Sequence, residues 1–153
     1  EILERYGLRQ YEISNYSREG FQCIHNLIYW NNEEYIGAGA GSHSKIDRVR
    51  YWNYRSIEEY IARLKNNELP VEDREIISTE EGLWETIMLG LRLNTGLFIP
   101  DINEKYSINF MEKYGDVLFK LNRYELIQIS GDRIYLTDKG RDLSNTVFVE
   151  FME

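Results

Sequence analysis

The stretch His25-Asn26-Leu27-Ile28-Tyr29-Trp30 places an imidazole, a carboxamide and two aromatic rings side by side, with Cys23 two positions before it. Cys23 is the one cysteine of the chain, and His25 is one of two histidines. A neutral imidazole can ligate the iron of a porphyrin, and aromatic side chains can cover the face of the macrocycle. If the stretch is helical, His25 and Tyr29 share a face, as do Asn26 and Trp30, because residues four apart are neighbours on a helix surface. Asn26 can then orient a ligand or satisfy a nearby backbone group. The alternative is plain packing, in which a His–aromatic cluster closes the end of a sheet and its polar atoms are bonded internally. Cys23 with His25 supplies only two metal ligands, fewer than a structural zinc site needs, so a buried and inert thiol is expected at position 23.

A second stretch, Tyr35 to Ser44, reads YIGAGAGSHS and puts Gly37, Gly39 and Gly41 at alternate positions. In a strand this leaves one face bare, open to the flat edge of a nucleoside or to tight approach by another backbone. The block lacks the Lys-Ser/Thr ending of a P-loop and the spacing of GxGxxG. His43 at its end is either a pocket-rim residue or a capping one. No Ser-His-Asp order and no paired histidines occur, and the carboxylates read as solvated helix faces, so hydrolysis has no support.

These residues need elements to hold them. Glu1 to Gly7 reads as the end of a helix stopped by Gly7, and the missing initiator Met suggests a chain cut from a longer protein. Leu8 to Ile13 has strand-like composition, with Tyr11 and Ile13 on one face. Ser56 and Glu59 have capping-box spacing ahead of an apolar stripe of Ile57, Tyr60, Ile61 and Leu64. Residues 66–77 are charged and read as a linker. Ser78 and Glu81 form a second capping box before Leu83, Trp84, Ile87, Met88 and Leu91, which Gly96 ends. Pro100 to Arg123 suggests a short and then a longer helix, built on Phe110, Met111, Tyr114, Leu118 and Leu121. Strands at 126–129 and 133–136 flank the turn Ser130-Gly131-Asp132, and Thr137 caps a last helix with Leu143, Val147, Phe148 and Phe151 inward. Three helices, a hairpin and a closing helix make a winged-helix pattern.

Bulk composition narrows the setting. The chain is 42% hydrophobic and 29% charged, as expected of a globular protein, and no apolar run is long enough to span a bilayer. A lone cysteine and no signal peptide point to a reducing, cytoplasmic setting. Cutting after Ile77 leaves 10 basic and 13 acidic residues before the cut, and 8 and 13 after it. Neither half offers a broad basic surface, so no nucleic-acid partner is expected, even though winged helices often read DNA.

Taken in order, YEISNY (11–16), HNLIYW (25–30), GAGAGSHS (37–44), RYWN (50–53) and the closing LTxxG of 136–140 with Leu143-Ser144-Asn145 resemble consecutive blocks of the HemW-type radical SAM proteins, relatives of oxygen-independent coproporphyrinogen III oxidase. The resemblance covers almost the whole chain, as the C-terminal part of a protein more than twice its length. It implies an α+β fold: the terminal strands of a partial radical SAM (β/α) barrel, then a small winged-helix-like C-terminal domain. The implied domains are the barrel end with the HNxxYW block at 1–65, a linker at 66–77 and the winged-helix-like domain at 78–153. It also implies haem binding by His25, Asn26, Tyr29 and Trp30, with His25 on the iron, and places His43 near an S-adenosylmethionine pocket. The HNxxYW block favours the haem-chaperone branch, which passes haem to an acceptor protein, over coproporphyrinogen III dehydrogenase. A winged-helix interaction module is the reading from another class. The family's Cx3Cx2C motif is absent, and Cys23 cannot replace three thiolates. A [4Fe–4S] cluster and S-adenosylmethionine are therefore expected only in the full-length protein, and this segment is expected to be inactive alone. Membrane association is expected only through an acceptor, and the segment is expected to self-associate through uncovered sheet edges.

Overall fold

The computed structural model describes residues 2–152. It divides into two compact units. One takes the residues up to Asn32 together with those from Leu83 onward, and the other runs Glu33–Gly82.

The N-terminal segment opens with a 3-10 turn, Leu3–Tyr6, which Gly7 ends at φ 73, a left-handed conformation that glycine adopts without a Cβ clash. β1 (Arg9–Gln10) pairs antiparallel with β2 (Tyr16–Ser17). The strand expected over Leu8 to Ile13 therefore stops at Gln10. Beyond it the alternation fails: Tyr11 and Ile13 are half-buried, and the fully buried residue is Glu12. The cause is a turn in which the Glu12 carboxylate accepts from Ser14 N at 2.6 Å and from Asn15 Nδ2 at 2.7 Å. Helix α1 follows, Ile24–Trp30.

The Glu33–Gly82 unit is a three-stranded antiparallel sheet with one helix. β3 (His43–Ile46), β4 (Val49–Asn53) and β5 (Val71–Ile76) are ordered β3-β4-β5. The β3–β4 turn uses Asp47 and Arg48 at φ 49 and φ 64, the left-handed pair that suits the twist of a two-residue hairpin. α2 (Ile57–Lys65) starts where Ser56 Oγ accepts from Glu59 N at 3.2 Å, as its spacing predicts. Residues 66–77 differ from the expected linker: they carry β5, whose Arg74 and Asp73 sit opposite Tyr51 and Trp52 of β4. Glu72, Asp73, Arg74 and Glu75 follow one another there because β5 is a largely exposed edge strand, a composition that resembles a linker in sequence. The division into 1–65, 66–77 and 78–153 thus differs from the two compact units.

The chain returns to the first unit within α3 (Thr79–Arg92), at Leu83. Its capping box is reciprocal: Glu81 N donates to Ser78 Oγ at 3.1 Å and Ser78 N to the Glu81 carboxylate at 2.8 Å. β6 (Leu97–Phe98) leads into α4 (Ile99–Tyr106), α5 (Phe110–Lys113) and α6 (Gly115–Arg123). β7 (Ile127–Ser130) and β8 (Arg133–Leu136) form the expected hairpin, and β6 joins it in the order β6-β8-β7. α7 (Asp138–Asp142) and α8 (Ser144–Val149) replace the single closing helix, with Thr137 Oγ1 accepting from Gly140 N at 2.9 Å. The core of this unit gathers Leu83, Ile87 and Leu91 of α3, Phe110, Tyr114, Leu118 and Leu121, then Ile134, Val147, Phe148 and Phe151. Leu143 and Met111, expected inward, stay largely exposed. The result is a mixed fold of helices and small antiparallel sheets.

Candidate functional site

HNLIYW is helical. At seven residues α1 is far shorter than the ~12–15 that an isolated helix needs in water, so tertiary contacts must hold it. Core burial does not do so, because no residue of α1 is fully buried and Cys23 gives no side-chain cap. Polar and aromatic contacts tie it down instead. Asn26 Nδ2 donates to Tyr11 Oη at 3.3 Å. The Arg92 guanidinium lies over the Trp30 ring, 4.4 Å from its centroid. Just past the helix, Asn32, at φ 55, donates through Nδ2 to Thr86 Oγ1 at 2.9 Å, and that oxygen is 2.7 Å from Tyr106 Oη.

His25 stands apart from these anchors. It is exposed, and its ring meets Tyr29 edge to face, with centroids 4.8 Å apart and planes at 85°. Among the described residues its ring makes no hydrogen bond or ion pair. The imidazole is thus reachable from solvent while one aromatic neighbour restricts its rotation. Phe21 and Ile24, which precede it in the chain, are 78% and 76% exposed. Cys23 is exposed as well, which corrects the buried thiol expected there. The shortness of α1 explains the difference: its first turn lies outside the core, and Cys23 is the residue before it.

Two residues missed at the sequence level complete the surroundings of α1. Glu12 is 0% exposed and pairs with Arg92 Nη2 at 3.0 Å, so Arg92 lies between a carboxylate and an indole face. Trp30 Nε1 and Arg92 Nε are buried without a hydrogen-bond partner. The pair joins positions 80 apart in sequence, so no local periodicity reveals it. The only available signal is a lone carboxylate inside the otherwise uncharged YEISNY block.

The glycine block lies in the other unit and is a pinned loop rather than a strand. Tyr35 bridges Lys45, and regular pairing begins only at His43. Of the two uses for bare glycine faces, backbone packing is the one seen at Gly37: a Cβ there would stand 2.1 Å from the His43 carbonyl oxygen. Gly39 and Gly41 turn the chain at φ 112 and φ 70. Side chains fix the loop. Gly37 N donates to Ser44 Oγ at 3.0 Å, Gly39 N to Tyr60 Oη at 3.1 Å, and Asn53 Nδ2 donates to Gly39 O and Ser42 Oγ, each at 3.0 Å. His43 is exposed and stacks on Trp52, its cross-strand partner, with centroids 5.7 Å apart.

Thus His25, Asn26, Tyr29 and Trp30 share one short helix, while His43 belongs to a separate unit. No group of three or more His, Cys, Asp or Glu among the described residues is placed to hold a metal ion. No described helix is long and apolar enough to cross a membrane.

Residues 77–143 match the HemN C-terminal domain family. The chain is 34% identical to the haem chaperone HemW of Lactococcus lactis subsp. lactis (strain IL1403) across 99% of its length, and 37% identical to HemW of Bacillus subtilis (strain 168) across 98%. It spans 40% of the length of each. HemW of Synechocystis is 39% identical over 93% of the chain and 32% of that protein. In fold, the chain is similar to Escherichia coli coproporphyrinogen III oxidase HemN, described as a radical SAM enzyme, with a TM-score of 0.74 at 14% identity over 98% of this chain and 38% of that one.

Proposed function

We propose, for a chain that belongs to the family of the HemW haem chaperones and the HemN oxidase, that it forms part of a cytoplasmic haem-binding protein that hands haem to an acceptor. His25 is the axial ligand to the iron. The observation that carries this reading is the exposed His25 ring, free of hydrogen bonds and braced edge to face by Tyr29 at 4.8 Å. Haem is the cargo, and the residues present suit it. A neutral imidazole ligates iron, the exposed side chains of Phe21 and Ile24 offer apolar contact to a porphyrin face, and Tyr29 restricts the ring. Asn26 and Trp30, the other residues of the proposed set, act through their contacts to Tyr11 and Arg92, which hold the helix that carries His25. An exposed site suits a carrier, because a partner can reach the ligand side and withdraw the haem.

The order α3, β6, α4 to α6 and the β7–β8 hairpin supports a winged-helix-like module, and the β3–β5 sheet is read as the end of a partial barrel. A [4Fe–4S] cluster does not fit the residues here, since the chain has a single cysteine. Where S-adenosylmethionine binds in the full-length protein, His43 and the pinned glycine loop border it. The isolated segment self-associates through the exposed β5 edge, where Ile76 is 78% exposed.

The test is a haem titration of full-length protein followed at the Soret band. Wild type gives a saturable shift that His25→Ala loses; an unchanged spectrum and affinity in the variant removes His25 from the ligand role. Turnover of coproporphyrinogen by the cluster-loaded protein would replace the chaperone reading with the dehydrogenase one.

A further inference from the structure

We propose that Glu12 and Arg92 are a positioning pair for α1, setting the direction in which His25 is presented; this rests on the haem reading above. A seven-residue helix with no fully buried residue and no side-chain cap is not oriented by the core. Its C-terminal end is held through Trp30, whose ring lies against the Arg92 guanidinium at 4.4 Å.

Arg92 is held in turn. Its Nη2 meets the Glu12 carboxylate at 3.0 Å, and Glu12 is 0% exposed. That carboxylate is fixed from its other side by Ser14 N and Asn15 Nδ2. The backbone places it too: Glu12 bridges Leu93, Asn94 N donates to Tyr11 O at 3.1 Å, and Asn94 Nδ2 to Gln10 O at 2.7 Å. A continuous chain of contacts therefore runs from the 12–15 turn through α3 to Trp30, and a rigid helix carries its orientation back to His25.

Two features mark the pair as directional rather than merely cohesive. A buried ion pair is a poor stabiliser next to apolar residues of the same volume, yet its geometry is strict. Arginine meets that geometry with a flat fork that binds a carboxylate at one edge and stacks on an indole at its face, which lysine cannot reproduce. The arrangement also persists although Trp30 Nε1 and Arg92 Nε lack acceptors, a cost that packing for stability alone would remove.

The experiment uses full-length protein carrying R92A, R92K or E12Q, with Ile134→Val in the core as a control for general destabilisation. Three quantities are read: amide hydrogen exchange of α1 without haem, haem affinity, and the electron paramagnetic resonance spectrum of ferric haem at saturation. R92A is expected to speed exchange across α1, weaken haem binding roughly tenfold or more, and move the ferric spectrum. R92K and E12Q preserve size and so fold if R92A does not. R92K is expected to recover the thermal midpoint but neither α1 protection nor the spectrum, while Ile134→Val lowers the midpoint and leaves both in place. Unchanged α1 protection in the Arg92 variants, or full rescue of the spectrum by R92K, overturns the proposal. If α1 loosens while His25→Ala binds haem like wild type, the positioning pair stands and the ligand assignment falls.

Discussion

Replacing Glu12 is the perturbation whose cost can be worked most fully from the structure. The carboxylate is 0% exposed and 3.0 Å from Arg92, a separation at which the attraction is ~5–6 kcal/mol at an effective dielectric of about 20, before desolvation is counted. Removing one partner of a buried pair leaves the other charge uncompensated and costs ~3–5 kcal/mol in general. Arg92 is 23% exposed and still faces the Trp30 ring, so water and the indole recover part of that loss. Ser14 N and Asn15 Nδ2 each lose an acceptor, worth about 1 kcal/mol apiece. Glu12→Ala should therefore destabilise the unit by ~3–4 kcal/mol. Glu12→Gln keeps an acceptor oxygen for the turn and should cost about half as much. Urea denaturation, with exchange of core amides such as Ile87 and Ile134 to assign the transition to this unit, measures both. A loss below ~0.5 kcal/mol in Glu12→Ala, the range of an ordinary surface change, would refute the reasoning.

Other consequences follow from single contacts. Gly37→Ala drives a methyl to 2.1 Å from the His43 carbonyl, so the Glu33–Gly82 unit should lose ~2–3 kcal/mol and become protease-sensitive in that segment; a wild-type cleavage pattern would contradict this. Ser78→Ala should cost ~1 kcal/mol by removing the N-cap of α3, read as a lowered thermal midpoint. The Ser78 backbone N–H, and after it the Ser78 side chain, hold the Glu81 carboxyl below its ordinary 4.5, so this arm of the box is fully formed above that pH and weakens as pH falls through the lower folded value. Glu81→Gln should flatten that part of the stability curve on the acid side. Cys23 is exposed and should react with iodoacetamide in native protein, whereas protection would return it to the buried state that its residue type suggests.

Where local chemistry decides, the sequence could be read directly. The N-cap at Ser56, the capping box at Ser78, the left-handed stop at Gly7, the Gly131 hairpin and the buried spacing of Leu83, Ile87 and Leu91 all follow from contacts within a turn or two. The illegible parts depend on distant partners. β5 has the charged composition of a linker because it is an exposed edge strand, and only its pairing with β4 makes it a strand. The glycine block breaks strand periodicity because Tyr60, Asn53 and Ser44 pin it as a loop. Glu12 reads as an outward strand residue until Arg92 is brought across from 80 positions away. For the candidate site, the expectation that His25 and Tyr29 share a helix face agrees with their T-shaped contact, because residues four apart are neighbours on a helix. The sequence could not show that Arg92 and Glu12 hold the helix.

The central claim is that His25 ligates haem iron, and magnetic coupling tests it most directly. Full-length protein labelled with 15N-histidine, loaded with ferric haem and studied by pulsed electron paramagnetic resonance should show coupling of the iron to a histidine nitrogen. This coupling should survive in His43→Ala and disappear in His25→Ala. Persistence of the same coupling in His25→Ala would contradict the claim.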